Sequence, residues 1–346
     1  MVVQSNILEI PLQAVPISFD VKLQIASRFW DQAIDPHETS ALDPYFRYYT
    51  AQSDLALHDL GRYVSVQTHR EITRITDMLK EGLPRDEVKR RLGPQTDEEM
   101  ENDDDDGRIQ GSIDLAARLL LMLRIGPIHY GFSGHKELKW ERCSLRTFIS
   151  SHFDHPQALD REHVKLEKIF IARNLRRIAW IKIVWTDNLA DHLRMLEHDT
   201  QVAIFHHATF LEFVQTSSMY PAGLIEETLR TLALLFPQQD KDTRAWFKRA
   251  VSSTNIDFNA IRCGQLRAED RHIDQFKFWR DRLVVLKQVF DEAEPATWSQ
   301  WWYDRRKGVQ RYPFLLAAAA LALTLLFGLI TCVEGGLQVY KAYYPS

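Results

Sequence analysis

Apolar positions along most of this chain recur at spacings of three and four, which predicts amphipathic helices. Between Ser53 and Leu79 the pattern is regular, and the helical pattern ends at Gly93 and Pro94, a pair that terminates helices. We therefore expect a flexible arm over residues 1–15 and an N-terminal helical region over 16–94.

The period changes from helical to strand-like near residue 181. Ile181, Ile183 and Trp185 alternate with more polar residues, which is typical of a strand, and further short strands are expected at His192–Leu196 and Gln201–His207. A long helix is expected before them, from an N-cap at Asp160 to Ile178. The predicted fold class is α+β: a predominantly α-helical domain over 109–270 with one small β-sheet at about residues 181–207, followed by a C-terminal transmembrane helix.

A run of carboxylates separates the two helical regions. The stretch 95–108 contains seven acidic residues, which repel one another and bury nothing, so an acidic disordered loop is expected there. A calcium loop would need alternating oxygen ligands, a turn glycine and a distal glutamate. The consecutive run Asp103–Asp106 does not supply that spacing.

Residues 271–312 are predicted to form a helical neck that leads toward the end of the chain. Within it, the apolar residues Phe276, Trp279, Leu283, Leu286 and Phe290 repeat at three and four. Only about two heptads are present, fewer than the three or four that indicate a coiled coil. Packing against the protein's own core is therefore expected, and pairing of 271–312 with a protein partner or a second copy of the chain stays open.

The run Phe314–Val333 is uncharged and almost wholly apolar. Twenty residues at about 1.5 Å each span roughly 30 Å, the thickness of the hydrocarbon core of a bilayer. A transmembrane helix is expected over 313–333, with a short non-cytosolic tail over 334–346, and the lipid bilayer is the predicted partner.

Aromatic and basic residues precede this run and indicate its orientation. These residue types favour the headgroup region, and positive charge favours the cytosolic side. The N-terminal bulk is therefore expected in the cytosol, with insertion like that of a tail-anchored protein. The predicted membrane-interface residues are Trp298, Trp301, Trp302, Arg305, Arg306, Lys307 and Arg311.

Composition narrows the function classes. The net charge of −4 argues against a nucleic-acid partner, because nucleic-acid-binding domains are normally basic. The three cysteines form no pairwise motif, which fits a reducing cytosol better than a disulfide framework.

Histidines and aspartates are dense around the predicted sheet, where His192, His206 and His207 are the candidate metal ligands, with Asp187, Asp191, His198 and Asp199 nearby. Such side chains can hold zinc or iron. None of the helical His-Glu-x-x-His or Cys-x-x-Cys spacings accompanies them, so no metal, cofactor or catalytic residue is assigned. An unrecognised cytosolic enzyme that uses these groups is an alternative reading.

Several long motifs resemble those of a large family of filamentous-fungal membrane proteins. They are Ile183–Leu193, Ile204–Ala208, Glu226–Pro237 and Trp301–Gln310, together with the terminal span, and the resemblance covers most of residues 110–346. It implies a membrane location and no catalytic activity.

The neck and span are also distantly similar to the ends of fungal proteins related to the CorA magnesium channels. Those channels have a second span and a Gly-Met-Asn motif, and this sequence has neither. The expected function is therefore a membrane-tethered protein-interaction or scaffolding module, with a CorA-like oligomeric channel component as an alternative.

Overall fold

The structure is a computed structural model that describes residues 7–32, 39–93, 103–128, 137–154, 164–253, 255–293 and 308–344. It is mostly helical with one small sheet. The helices are α1 (Phe19–Trp30), α2 (Asp43–Ala56), α3 (His58–Gly61), α4 (His69–Lys80), α5 (Arg85–Leu92), α6 (Asp103–Leu121), α7 (Leu145–Phe153), α8 (Ala172–Ile178), α9 (Ala208–Val214), α10 (Leu224–Leu235), α11 (Lys241–Ser253), α12 (Arg280–Glu292) and α13 (Gly308–Tyr343).

The predicted sheet is confirmed. Its strands are β1 (Lys182–Thr186), β2 (Met195–Leu196) and β3 (Gln201–Phe205), in the order β1-β3-β2. β1 and β3 are parallel, with Ile183 opposite Val202, and β2 is antiparallel to β3. Four of the five residues of β3 are buried, because β3 is the central strand and is covered on both faces.

Helix α4 shows how local sequence fixes an element. Thr68 and Glu71 form a capping box, in which each side chain accepts a backbone N–H of the other residue. The apolar positions Ile72, Ile75 and Leu79 are buried at the predicted helical spacing. This part of the predicted N-terminal helical region is therefore helical for the reasons the pattern indicates.

The predicted acidic loop is wrong over residues 103–108, since α6 begins at Asp103; residues 94–102 lie outside the described ranges. Carboxylates in the first turn of a helix interact favourably with its N-terminal partial charge. Asp106 is also 2.5 Å from the ammonium of Lys89 on α5. The acidic run is therefore compatible with the start of the helix that buries Ile113 and Leu120.

Helix α6 lies close against the loop that follows α3. A Cβ atom at Gly111 would be 1.9 Å from the carbonyl oxygen of Tyr63, a distance that no side chain can accept. Ser112 accepts the backbone N–H of Ser65 at 2.8 Å beside it. The missing Cβ thus permits the helix and the loop to meet.

The predicted helix from Asp160 to Ile178 is also wrong, because only Ala172–Ile178 is helical among the described residues of that range. The segment before it is extended and pairs with another: the N–H of Leu166 donates to Arg271 O at 2.8 Å, and the N–H of Ile273 donates to Val164 O at 2.9 Å. This distant backbone partner outweighs the local helical pattern.

The neck begins as 3₁₀ turns and becomes α-helical only at Arg280, so the predicted continuous helix from Arg271 is wrong. The reason is Glu227 on α10, whose carboxylate accepts the backbone N–H groups of Lys277, Phe278 and Trp279 at 2.7–2.8 Å. These bonds hold an irregular turn where a helix was expected.

The apolar seam of the neck is used within the chain. Its five members are buried in the core of the domain, which confirms the expected intramolecular packing: Phe276, Trp279, Leu283, Leu286 and Phe290. Residues 294–307 of the neck lie outside the described residues. Any pairing with another chain through that part stays a prediction.

The C-terminal helix α13 contains one stretch, Leu316–Tyr340, that is long and apolar enough to cross a membrane, and none of its tested window is buried against the rest of the protein. The helix continues to Tyr343, so the predicted non-helical tail from residue 334 is wrong. Extending a formed helix is easy because each added residue gains a hydrogen bond.

Candidate functional site

Three ionisable side chains meet where the two parallel strands end. Asp187 directly follows β1, and His206 and His207 directly follow β3. The carboxyl ends of parallel neighbours lie at the same sheet edge, which is where ligands bind in open α/β sheets. The sheet therefore brings together residues that are about twenty positions apart.

The three side chains form one compact cluster. Oδ1 of Asp187 is 2.6 Å from Nε2 of His207 and 3.3 Å from Nε2 of His206. The two imidazole rings are stacked, with centroids 4.0 Å apart. Both histidines are buried, whereas 56 % of the Asp187 side chain is exposed. The carboxylate thus has a buried side that meets the histidines and an open side.

The tautomer of His206 follows from its second contact. The backbone N–H of Asp257 donates to Nδ1 of His206 at 3.2 Å, so Nδ1 is the acceptor and the ring proton is on Nε2. That Nε2–H then donates to Asp187. Asp257 is itself fixed, because its carboxylate accepts the N–H of Thr209 at 2.7 Å and of Asn259 at 2.9 Å.

These contacts set the charges of the cluster. Burial alone would raise the pKa of Asp187, but hydrogen bonds from His206 and His207 outweigh it and hold that pKa well below its usual value. Burial, with His206 adjacent, lowers the pKa of His207 to about 4. At neutral pH, Asp187 is therefore an anion and His207 is neutral.

The same tautomer argues against a metal centre. The ligand atoms of Asp187, His206 and His207 lie within 4.8 Å of one another, which is close enough to surround a cation. A neutral histidine that binds metal through Nε2 must carry its proton on Nδ1 and donate it. In His206, Nδ1 faces the N–H of Asp257, so that proton would point at another donor. The geometry fits a carboxylate held by two histidines better.

His192, the third sequence candidate, does not join the cluster. Its Nε2 is 2.6 Å from Thr231 Oγ1, and its Nδ1 accepts the backbone N–H of Phe205 at 3.1 Å. Both ring nitrogens are thus used in the core, and burial, with the charge of Arg282, lowers the pKa of His192 to about 3. Its inclusion among the candidate ligands is wrong, because it is a structural hydrogen-bonding residue.

The other acidic and histidine candidates also lie apart from the cluster. His198 and Asp199 are exposed in the turn between β2 and β3. Asp191 accepts a hydrogen bond from Asn188 at 2.9 Å and pairs with Arg194 at 3.1 Å. These residues fix the loops around the sheet.

A polar cavity of about 200 Å³ opens on the exposed side of Asp187. It is lined by Tyr48, Gln52, Arg118, Arg124, Trp185, Thr186, Asp187 and Asn188. Sequence reasoning used Arg118 and Arg124 only to exclude a second membrane span. The signal that could have identified them as site residues is the presence of two arginines in an otherwise apolar segment.

The predicted membrane-interface residues Trp298, Trp301, Trp302, Arg305, Arg306 and Lys307 lie outside the described residues, as does the side chain of Arg311. Comparison of the chain with protein families, with curated proteins and with solved structures found no match. Function must therefore be argued from the chain itself.

Proposed function

We propose that this protein is a single-span membrane protein whose folded domain faces the cytosol and acts as a protein-interaction or scaffolding module. The observation that carries the proposal is the exposed apolar stretch of α13. The resemblance of the terminal motifs to those of fungal membrane proteins supports the same location.

Two soluble explanations for such a helix fit poorly. A core helix of a soluble protein would be buried, but the apolar stretch of α13 is not. A signal sequence would lie near the N-terminus, whereas this stretch covers Leu316–Tyr340. Leaving it in water would cost about 1.5–3 kcal/mol for each large apolar side chain, so a bilayer is the natural environment for it.

The flanking charges support the cytosolic orientation of the folded domain. Four basic residues, Arg305, Arg306, Lys307 and Arg311, precede the stretch, whereas Lys341 is the one basic residue after it. Positive charge next to a span favours the cytosolic side.

An exposed tryptophan supports the interaction role. Trp180 is 66 % exposed and has a φ of 59°, a left-handed conformation that bulky residues rarely adopt. The exposed cations Arg176 and Lys182 flank it in sequence. Tryptophan and arginine are the residue types that most often dominate the affinity of protein interfaces. This surface suits an acidic protein partner.

Alkaline carbonate extraction of cell membranes tests the proposal. The full-length protein should remain with the membranes and be released by detergent. A variant in which Leu325, Leu326 and Leu329 are replaced by arginine should become extractable, because each arginine near the centre of a span costs about 2.5–3.5 kcal/mol. The matched control replaces Trp180 by arginine and should remain with the membranes. Release of the unmodified protein by carbonate would overturn the anchor.

A further inference from the structure

We infer that the cavity beside Asp187 binds a small molecule that carries one oxyanion group, a phosphate or a carboxylate, together with a hydrogen-bond donor. The inference rests on the side chains that line the cavity and is independent of the membrane anchor. Its carrying residues are Arg118, Arg124 and Asp187.

Arg118 is a buried cation with unused hydrogen-bonding capacity. Only 7 % of the residue is exposed, and its Nη1 donates to the carbonyl oxygen of Pro127 at 3.3 Å. Its Nε has no hydrogen-bond partner in the described part of the chain. An unpaired buried cation is costly, and buried charges are normally paired with an anion.

Arg124 provides a second unused donor on the same cavity. Its Nη1 is buried and has no hydrogen-bond partner among the residues the structure describes. The loop after β1 holds its backbone, because the N–H of Arg124 donates to Oδ1 of Asn188 at 3.1 Å. Neither Arg118 nor Arg124 has a carboxylate within ion-pair distance in the described ranges.

Two guanidinium groups on one small cavity fit an oxyanion. Guanidinium presents several donors in a rigid fork that matches the oxygens of carboxylate and phosphate. Tyr48 also lies on the wall, and its hydroxyl is fixed by donating to the carbonyl oxygen of Arg118 at 3.2 Å. The phenolic oxygen can therefore still accept a hydrogen bond from a ligand.

Asp187 adds a requirement to the ligand. Its open side faces the cavity as an anion, while two histidines occupy its buried side. A second anion placed against it would be repelled, whereas an ammonium or a hydroxyl would be bound. The ligand must therefore direct its oxyanion toward the arginines and a donor toward Asp187.

Isothermal titration calorimetry on the full-length protein in detergent micelles tests this with three probes: inorganic phosphate, glycerol 3-phosphate and serine. Glycerol 3-phosphate and serine represent the phosphate and carboxylate sources, and saturable binding of either supports the inference. Arg124→Gln should weaken that binding about tenfold or more, because it removes a charged donor. Arg47→Gln is the control, since this exposed arginine lies next to Tyr48 in sequence but does not line the cavity, and it should change affinity less than about twofold.

Asp187→Asn separates the two halves of the site. The affinity for inorganic phosphate should rise, since a repelling charge is removed, and the affinity for serine should fall, since its ammonium loses a partner. Circular dichroism confirms that each variant is folded, and if Arg124→Gln is unfolded the Asp187→Asn pair of measurements decides alone. Absence of saturable binding of all three probes, or binding that neither Arg124→Gln nor Asp187→Asn alters, overturns the inference.

Discussion

His207 and Asp187 are joined by a 2.6 Å hydrogen bond across the carboxyl edge of the sheet, between a buried imidazole and an open carboxylate. The bond requires β1 and β3 to run parallel, since only then do their ends meet. It keeps the carboxylate ionised and aimed at the cavity. The relationship therefore links the topology of the sheet to the chemistry of the candidate site.

Replacing His207 by phenylalanine should raise the pKa of Asp187 and lower stability. The carboxylate loses its shortest hydrogen bond, and a bond to a charged group contributes about 1.5–3 kcal/mol. Carbon-detected NMR of the Asp187 carboxyl gives the pKa, and urea unfolding gives the free energy of unfolding. His198→Phe, in an exposed turn, is the control; an equal effect of both substitutions would contradict the assigned role of His207.

Acid should destabilise the fold well above the usual pKa of carboxylates. Burial lowers the pKa of His69 to about 4, of His192 to about 3 and of His207 to about 4, from 6.5. These groups are neutral when folded but take up protons when unfolded. Stability is therefore full above pH 6.5 and falls as the pH drops toward 4, by about 2 kcal/mol for each histidine between pH 7 and 5.

Urea unfolding measured at several pH values checks this dependence. His69→Gln should reduce the slope of stability against pH by about one proton, because it removes one of the three groups. A free energy of unfolding that is constant between pH 7 and 5 would show that these histidines are not held neutral.

Gly111→Ala should destabilise the domain by several kcal/mol, although alanine is the better helix former. Its Cβ would lie 1.9 Å from the carbonyl oxygen of Tyr63, so α6 and the facing loop would have to separate. Gly107→Ala in the same helix meets nothing within 4 Å and should stabilise by up to about 1 kcal/mol. Thermal unfolding of both variants measures the contrast, and effects of the same sign would be inconsistent with the close approach.

Glu227→Gln should loosen the turn that precedes α12. The glutamate accepts three backbone N–H groups from residues 277–279, and an amide has one acceptor oxygen instead of two charged ones. A loss of about 2–4 kcal/mol is expected from urea unfolding. Glu226→Gln, at the exposed neighbouring position, should change stability by less than about 0.5 kcal/mol. Faster amide hydrogen exchange at Trp279 should accompany the first substitution alone.

Local patterns predicted the elements that depend on local physics. The alternation from Ile181 to Trp185 predicts a strand because one side of it meets the core, and the apolar run after Phe314 predicts a helix because nothing in it breaks one. The failures concern partners distant in sequence. Leu166 is extended because Arg271 lies beside it, and the neck begins irregularly because Glu227 binds it.

The candidate site was only partly predictable for the same reason. Sequence density identified His206 and His207, but it included His192, whose ring nitrogens are used by Thr231 and Phe205. The tautomer of His206 depends on the backbone of Asp257, fifty-one positions away. No local pattern contains such a contact, because it arises only when the tertiary structure forms.

Glycosylation mapping in microsomes tests the central claim most directly, namely that α13 spans the membrane once with the folded domain on the cytosolic side. One acceptor site is fused to each terminus of the full-length chain in separate proteins, and each is followed by its change in mass with and without deglycosylation. We expect modification of the C-terminal site and not of the N-terminal site. Modification of the N-terminal site alone would contradict the orientation, and modification of neither site together with release by carbonate would contradict the span.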